Sequence, residues 1–321
     1  MKLVTFRAGG EDRVGVLHGD FVVDVVLFID LLRGSSLGVW PQAGLQEAVT
    51  LVRKGRAGPF DMIDLLERGE AWRRALGEIL GAVTASRDPL RLPQGVCMPL
   101  EQVRLRAPLP RPGKIVCVGL NYESHRAEQS IKSPARPVFF LKSSNTICGP
   151  GDPIVLPPNS TEVDYEAEFV AVIGKRGKGI PEEKVFEHIA GYTILNDVSA
   201  RDMQYTDRQW FRGKSCDTFG PIGPCIVTAD EIPNPHSLRI SLELNGRTMQ
   251  DSNTGDLIFN IPFLVNYLSQ SLTWEAGDLL STGTPGGVGH HRKPPVYLKP
   301  GDTVSVTVEG IGTLTNPVVG P

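Results

Sequence analysis

Apolar and polar residues change rhythm along this 321-residue chain. Residues 1 to about 30 read as short strands: VGVLHGDFVVDV places two apolar runs around His18-Gly19-Asp20, the composition of a hairpin turn. A helical stretch follows. In FDMIDLLERGEAWRRALGEIL the apolar positions Met62, Leu65, Leu66, Trp72, Leu76 and Leu80 recur at helical spacing, with Gly69 as an interruption. Pro and Gly density then rises in RDPLRLPQG and again in APLPRPGK, which places a boundary near residue 105 between a small unit (1–105) and a larger one (106–321). Beyond it strand signals dominate. KIVCVGL, DPIVLP, FVAVIG, GYTILND, LRISLELNG, DLLSTG and DTVSVTV are short, β-branched and flanked by Gly, Pro or Asp. Three of these strands follow a Gly-Asp pair (Gly151-Asp152, Gly277-Asp278, Gly301-Asp302), read here as solvated turns in a β-rich body.

Composition narrows the function classes. With 40% hydrophobic and 21% charged residues the chain has the make-up of a folded globular protein. A net charge of -3 gives no overall basic field, so nucleic acid is a poor partner. The five cysteines (Cys97, Cys117, Cys148, Cys216, Cys225) are odd in number, widely spaced and form no C-x-x-C pair, which suits reduced thiols rather than a disulfide frame or a zinc site. MKLVTFRAGGEDRVGVL breaks its apolar run too early for a signal peptide, and no stretch approaches the roughly 20 apolar residues of a membrane helix. The expectation is a cytoplasmic protein that does not engage a membrane.

The segment TEVDYEAEFVAVIG carries the chemistry. As a strand it puts Asp164, Glu166 and Glu168 on one face and Val163, Tyr165, Ala167 and Phe169 on the other. Val170 and Val172 continue the acidic face, so the carboxylates run into an apolar region where like charges need compensation. A hard cation held by carboxylate oxygens supplies it; a solvated edge strand whose acids pair with Lys or Arg is the alternative. Further on, GYTILNDVSARDMQ reads as a strand ending at Asn196-Asp197, then a helix capped by Ser199 with Asp202 completing a capping box. Asp197 thus lies where a strand meets a helix. Arg201 and Gln204 follow it at i+4 and i+7, on one helical face, with a surface ion pair as the plainer reading of Arg201. In NYESHRAEQ, His125 and Glu128 lie three apart, so one helical turn lets the carboxylate orient the imidazole.

Five blocks in order, VGLNYESHRAEQ, VDYEAEFVAVIGK, GYTILNDVSARDMQ, GKSCDTFGPIGP and GTPGGVG, resemble the fumarylacetoacetate hydrolase superfamily from about Lys114 to Val318. MKLVTFRAG at the start and RKPPVYLKPGD near the end are most similar to its domain-containing subgroup described as oxaloacetate tautomerases. The resemblance implies an α+β, mostly β fold: a mixed β-roll catalytic domain with a smaller N-terminal α+β domain, in a homodimer. By motif it implies Glu166, Glu168 and Asp197 as ligands of Mg²⁺, or of Mn²⁺ or Ca²⁺, with Asp164 close by but outside the ligand set. It also implies His125 and Glu128 as the dyad that activates water, Lys214 as the residue that stabilises developing negative charge, and Thr284 as a substrate-carboxylate contact. Tyr122, Arg201 and Gln204 are further substrate contacts. The Thr284 loop lacks the Gly-Lys-Ser/Thr ending of a phosphate-binding loop.

The expected partner is a small 2-oxo acid. The reaction placed first is metal-dependent hydrolysis of the C–C bond of a β-diketo acid of the acylpyruvate or fumarylpyruvate type, through a pyruvate enolate held by the cation. Oxaloacetate tautomerisation or decarboxylation on the same site is the alternative, and a non-catalytic binding homologue is the reading from another class. His18, His188 and His236 read as surface residues, His290-His291 as a pair that could face the site, and Trp210-Phe211 as packing.

Overall fold

The computed structural model describes residues 1–34, 60–85, 95–132 and 134–321. The fold is mostly β with some helices. Its main sheet runs in the order Cys97–Pro99, Phe21–Asp24, Glu11–His18, Lys2–Ala8, Gly220–Thr228, Ile189–Asn196, Ala167–Ile173, Leu279–Ser281, Ile115–Gly119 and Val138–Lys142. A second sheet of five strands joins Arg247–Asn253, Arg239–Leu244, Thr303–Val308, Gly312–Val319 and Ile154–Val155. Each strand signal read from the second two thirds of the chain coincides with one of these strands.

The main sheet includes strands from both sides of residue 105. Lys2–Ala8 pairs with Glu11–His18 and Arg104–Arg106, and its start pairs with Gly220–Thr228 (Lys2 opposite Val227). The hairpin at His18-Gly19-Asp20 forms, with His18 opposite Phe21 and Gly19 at a φ of 56° that a side chain rarely adopts. The amphipathic stretch breaks where Gly69 stands: one helix covers Met62–Glu67, the next Gly69–Ala85.

Strand Ala167–Ile173 lies in the middle of this architecture, and its alternation feeds two cores. Ala167, Phe169, Ala171 and Ile173 join a cluster with Ile240, Leu242, Val304 and Val306 of the five-stranded sheet. Val170 and Val172 join a cluster with Trp72, Leu76, Ile79 and Val83 of the helix Gly69–Ala85. The whole strand is buried, which removes the solvated-edge reading of its acids.

Two local readings are corrected. Ser199 does not cap a helix: Ser199–Ala200 is a two-residue strand paired with Val163–Asp164, and the helix Arg201–Thr206 starts after Ala200 with no side-chain cap. Asp202 instead accepts from Ser160 Oγ (2.7 Å) and Thr161 N (3.0 Å), tying the chain ahead of the acidic segment to the helix. Asp278 is not solvated either; it is fully buried and meets Lys114 Nζ at 2.6 Å. No helix among the described residues is long and apolar enough to cross a membrane.

Candidate metal centre

Strand register explains why three acids meet. Ala167 pairs with Asn196 across antiparallel strands, so Glu166 and Asp197 stand opposite each other just beyond the ladder, tied by Asp197 N to Glu166 O at 2.9 Å. Glu168, two residues along, shares the face of Glu166. One carboxylate oxygen from each of Glu166, Glu168 and Asp197 lies within 4.8 Å of the others, and all three residues are buried.

Three cations face this cluster. Lys214 Nζ donates to Glu166 Oε2 (2.7 Å) and Asp197 Oδ2 (2.6 Å). Lys142 Nζ donates to Asp197 Oδ1 at 2.6 Å and to Val198 O at 3.2 Å. Arg201 spans two acids: Nε and Nη2 reach Asp164 Oδ2 (2.9 and 2.8 Å), Nη2 reaches Glu166 Oε1 (2.7 Å), and Nη1 donates to Gln204 Oε1 (2.9 Å). Arg201 is therefore a buried bridge, not a surface ion pair. Asp164 also accepts from Gly289 N (2.8 Å) and His290 N (3.0 Å), so it fastens the far end of the glycine loop instead of joining the cluster.

Electrostatics single out Glu168. Burial opposes the charge of Glu166, but Lys214, Arg201 and His125 outweigh it and hold that carboxyl down at about 2. Burial likewise opposes the Lys214 ammonium, and Asp197 and Glu166 nevertheless hold it above its ordinary range. Glu168 has no ion-pair partner among the described residues; its Oε2 accepts from Ser281 Oγ and from Gly283 N (3.1 Å). Burial, then Asp197 and Glu166, push its carboxyl well up. A buried carboxylate facing two others takes either a proton or a cation. This oxygen-only donor set fits a hard divalent ion, which takes a few protein oxygens and leaves other positions for water or substrate.

His125 lies on the helix Glu123–Glu128, whose start is held by Asp256 through Ser124 N (3.0 Å) and Ser124 Oγ (2.6 Å). His125 Nδ1 is 2.6 Å from Glu128 Oε1, and Glu128 Oε2 accepts from Gly287 N at 2.8 Å, linking the dyad to the Thr284 loop. The other ring nitrogen, Nε2, is 2.8 Å from Gln129 Nε2. Tyr122 is fully enclosed; burial first, then the Glu168 and Asp256 carboxylates, push its phenol well above the ordinary value. Thr284 is buried and accepts from Gln250 Nε2 at 2.8 Å. His291 lies near the dyad, its ring tilted by 53° and 6.0 Å from the His125 ring, while His290 bonds Tyr297. Trp210 packs edge-on against Phe140, as expected, whereas Phe211 is exposed.

Lys142, Gln250 and Ser281 reach this centre without having been read from the sequence. A lysine closing an apolar strand, as in VFFLK, is the one sequence signal that could have pointed to Lys142. A separate cavity of about 720 Å³ opens among Leu66, Trp72, Gly174 and Ala190; none of the clustered acids lines it.

The fumarylacetoacetate (FAA) hydrolase C-terminal family matches residues 114–319. The mitochondrial oxaloacetate tautomerase of Rattus norvegicus is 47% identical over 266 residues, covering 81% of this chain and 80% of that protein. The fumarylacetoacetate hydrolase structure from psychrophilic Exiguobacterium antarcticum superposes over 100% of both chains with a TM-score of 0.77 and 32% identity. A maleylpyruvate hydrolase from Sphingobium sp. SYK-6, in complex with manganese(II) and pyruvate, is 30% identical with a TM-score of 0.71, over 100% of this chain and 99% of its own. On the family match and the 47% identity, this chain belongs to the fumarylacetoacetate hydrolase family of enzymes.

Proposed function

We propose that the protein interconverts the enol and keto forms of oxaloacetate, using a divalent cation, Mg²⁺ or Mn²⁺, at Glu166, Glu168 and Asp197. When bound, that ion supplies Lewis acidity toward the carboxylate and 2-oxo oxygens of a 2-oxo acid. Thr284 donates its hydroxyl to the substrate carboxylate, and Lys214 places positive charge where negative charge develops on the 2-oxo oxygen. Arg201 holds Glu166 and Gln204 in place around them. In the enol-to-keto direction the enol oxygen gives up a proton, C3 gains one and the C2–C3 double bond becomes C2=O. The reverse breaks the C3–H bond, so no carbon–carbon single bond is cleaved and no water is consumed.

The observation that carries this reading over hydrolysis is the contact between Gln129 and His125. With the ring proton on Nδ1, facing Glu128 Oε1, Nε2 is the acceptor, and the Gln129 amide nitrogen 2.8 Å away is placed to occupy it. Nε2 is the nitrogen a hydrolase needs for taking a proton from water. Relatives named as oxaloacetate tautomerases support the same reaction. Their names also carry a mitochondrial location, which favours that compartment over the cytoplasm expected from the sequence. C–C hydrolysis of an acylpyruvate is the second reading, favoured by the 2.6 Å His125–Glu128 contact.

The test compares two rates on Mn²⁺-supplemented protein: loss of the ultraviolet absorbance of enol oxaloacetate, and pyruvate release from an acylpyruvate. Much faster enol loss supports tautomerisation. Pyruvate release that equals or exceeds it overturns that reading in favour of hydrolysis.

A further inference from the structure

Gln250 is almost completely buried, at 1% exposure, on the strand Arg247–Asn253. Its Oε1 accepts from Ala167 N at 2.9 Å, the backbone amide between Glu166 and Glu168. Its Nε2 donates to Thr284 Oγ1 at 2.8 Å and to Pro285 O at 2.8 Å. The orientation of this amide is fixed by chemistry. A backbone N–H can only donate and a proline carbonyl can only accept, so the oxygen must face Ala167 and the NH₂ must face the loop.

One consequence falls on Thr284. Both Nε2 protons are committed, one to Pro285 O and one to Thr284 Oγ1, so Thr284 cannot donate back to that nitrogen. Its own hydroxyl proton must turn elsewhere, and no hydrogen bond donated by this hydroxyl is found among the described residues. We infer that Gln250 is a positioning residue that makes Thr284 an obligate donor toward the substrate carboxylate and ties the carboxylate-binding loop to the acid-bearing segment. The inference rests on the reading above, that Thr284 meets that carboxylate. The same strand clamps the loop a second time: a Cβ on Gly287 would lie 2.3 Å from Met249 O, so only glycine lets the loop approach so closely.

Gln250→Glu inverts the device. The carboxylate still accepts from Ala167 N, but its second oxygen now accepts the Thr284 proton, turning hydroxyl lone pairs toward the substrate. Loss of one hydrogen bond to a charged group predicts a KM for oxaloacetate about 10-fold higher or more, with kcat changed far less. Pyruvate affinity, measured by calorimetry on Mn²⁺-loaded protein, should fall by the same factor while Mn²⁺ affinity holds. In a Thr284→Val background, adding Gln250→Glu should change neither KM nor pyruvate affinity further. If Gln250→Glu does not fold, Gln250→Met serves: it has no charge to repel Pro285 O, frees the Thr284 hydroxyl to rotate, and is expected to weaken pyruvate binding in the wild-type background only.

The two failures are distinguishable. If Thr284→Val alone leaves KM and pyruvate affinity at wild-type values, the assignment of Thr284 to the carboxylate fails and the inference falls with it. If Thr284→Val weakens binding but the Gln250 variants do not, or if the two losses simply add, Thr284 keeps its role and Gln250 is a packing residue.

Discussion

Lys142 Nζ lies 2.6 Å from Asp197 Oδ1, and neither side chain is exposed to solvent. The strand Val138–Lys142 is at the end of the main sheet, so the lysine reaches inward from its last position to an acid 55 residues later. Removing one member of a buried ion pair leaves the other charge without compensation, which costs about 3–5 kcal/mol. Because Lys214 also faces Asp197, the lower end of that range is expected for Lys142→Met, read from urea unfolding of metal-free protein. Mn²⁺ should recover much of the loss, since a cation compensates the same carboxylate. Equal unfolding midpoints for variant and wild type would show that Lys142 adds nothing at this centre.

Gln129 gives a second prediction. Gln129→Ala frees His125 Nε2 for a water molecule, and general-base assistance then raises acylpyruvate hydrolysis relative to tautomerisation by about 10²-fold. Pyruvate release from an acylpyruvate, divided by the rate of enol loss from oxaloacetate, is the ratio to measure. An unchanged ratio argues that the amide moves aside freely and does not select the reaction.

His236 provides a pH dependence remote from the metal centre. Its Nε2 accepts from Ile261 N at 3.2 Å, at the start of the helix Ile261–Ser269. Burial lowers its pKa below the ordinary 6.5. The neutral ring is thus favoured by folding, and its positive form would also oppose the helix dipole. The stabilisation is complete above about 6.5 and is lost as pH falls from there toward the lower folded-state value. His236→Gln should therefore lower Tm at pH 7.5, and the gap from wild type should narrow as pH drops to 5. A gap that widens on acidification contradicts the assigned role.

Much of the centre was legible because local periodicity and tertiary register coincide. Glu168 lies on the strand Ala167–Ile173 with Glu166 just ahead of it, and Asp197 directly follows the paired strand Ile189–Asn196, so two-residue alternation and one strand end were enough. His125 and Glu128 were legible because one helical turn joins them. Ser199 misled because its neighbours fit a capping box, while a two-residue ladder to Asp164 took the segment first. Gln250 was invisible for a different reason. TMQDSNT has the composition of a turn, and the partners of Gln250 lie 83 and 34 residues away, where no periodicity reaches.

Glu166, Glu168 and Asp197 are proposed to hold a divalent cation, with Glu168, which has no ion-pair partner among the described residues, the carboxylate that most needs one. Titration of metal-free protein with Mn²⁺ by calorimetry tests it directly, with Glu168→Gln alongside wild type. Saturable binding is expected in the wild type, and binding about 10-fold weaker or more in the variant, because an amide replaces a charged ligand oxygen. Equal affinities in the two proteins, or no Mn²⁺ binding by a folded wild type, would contradict it.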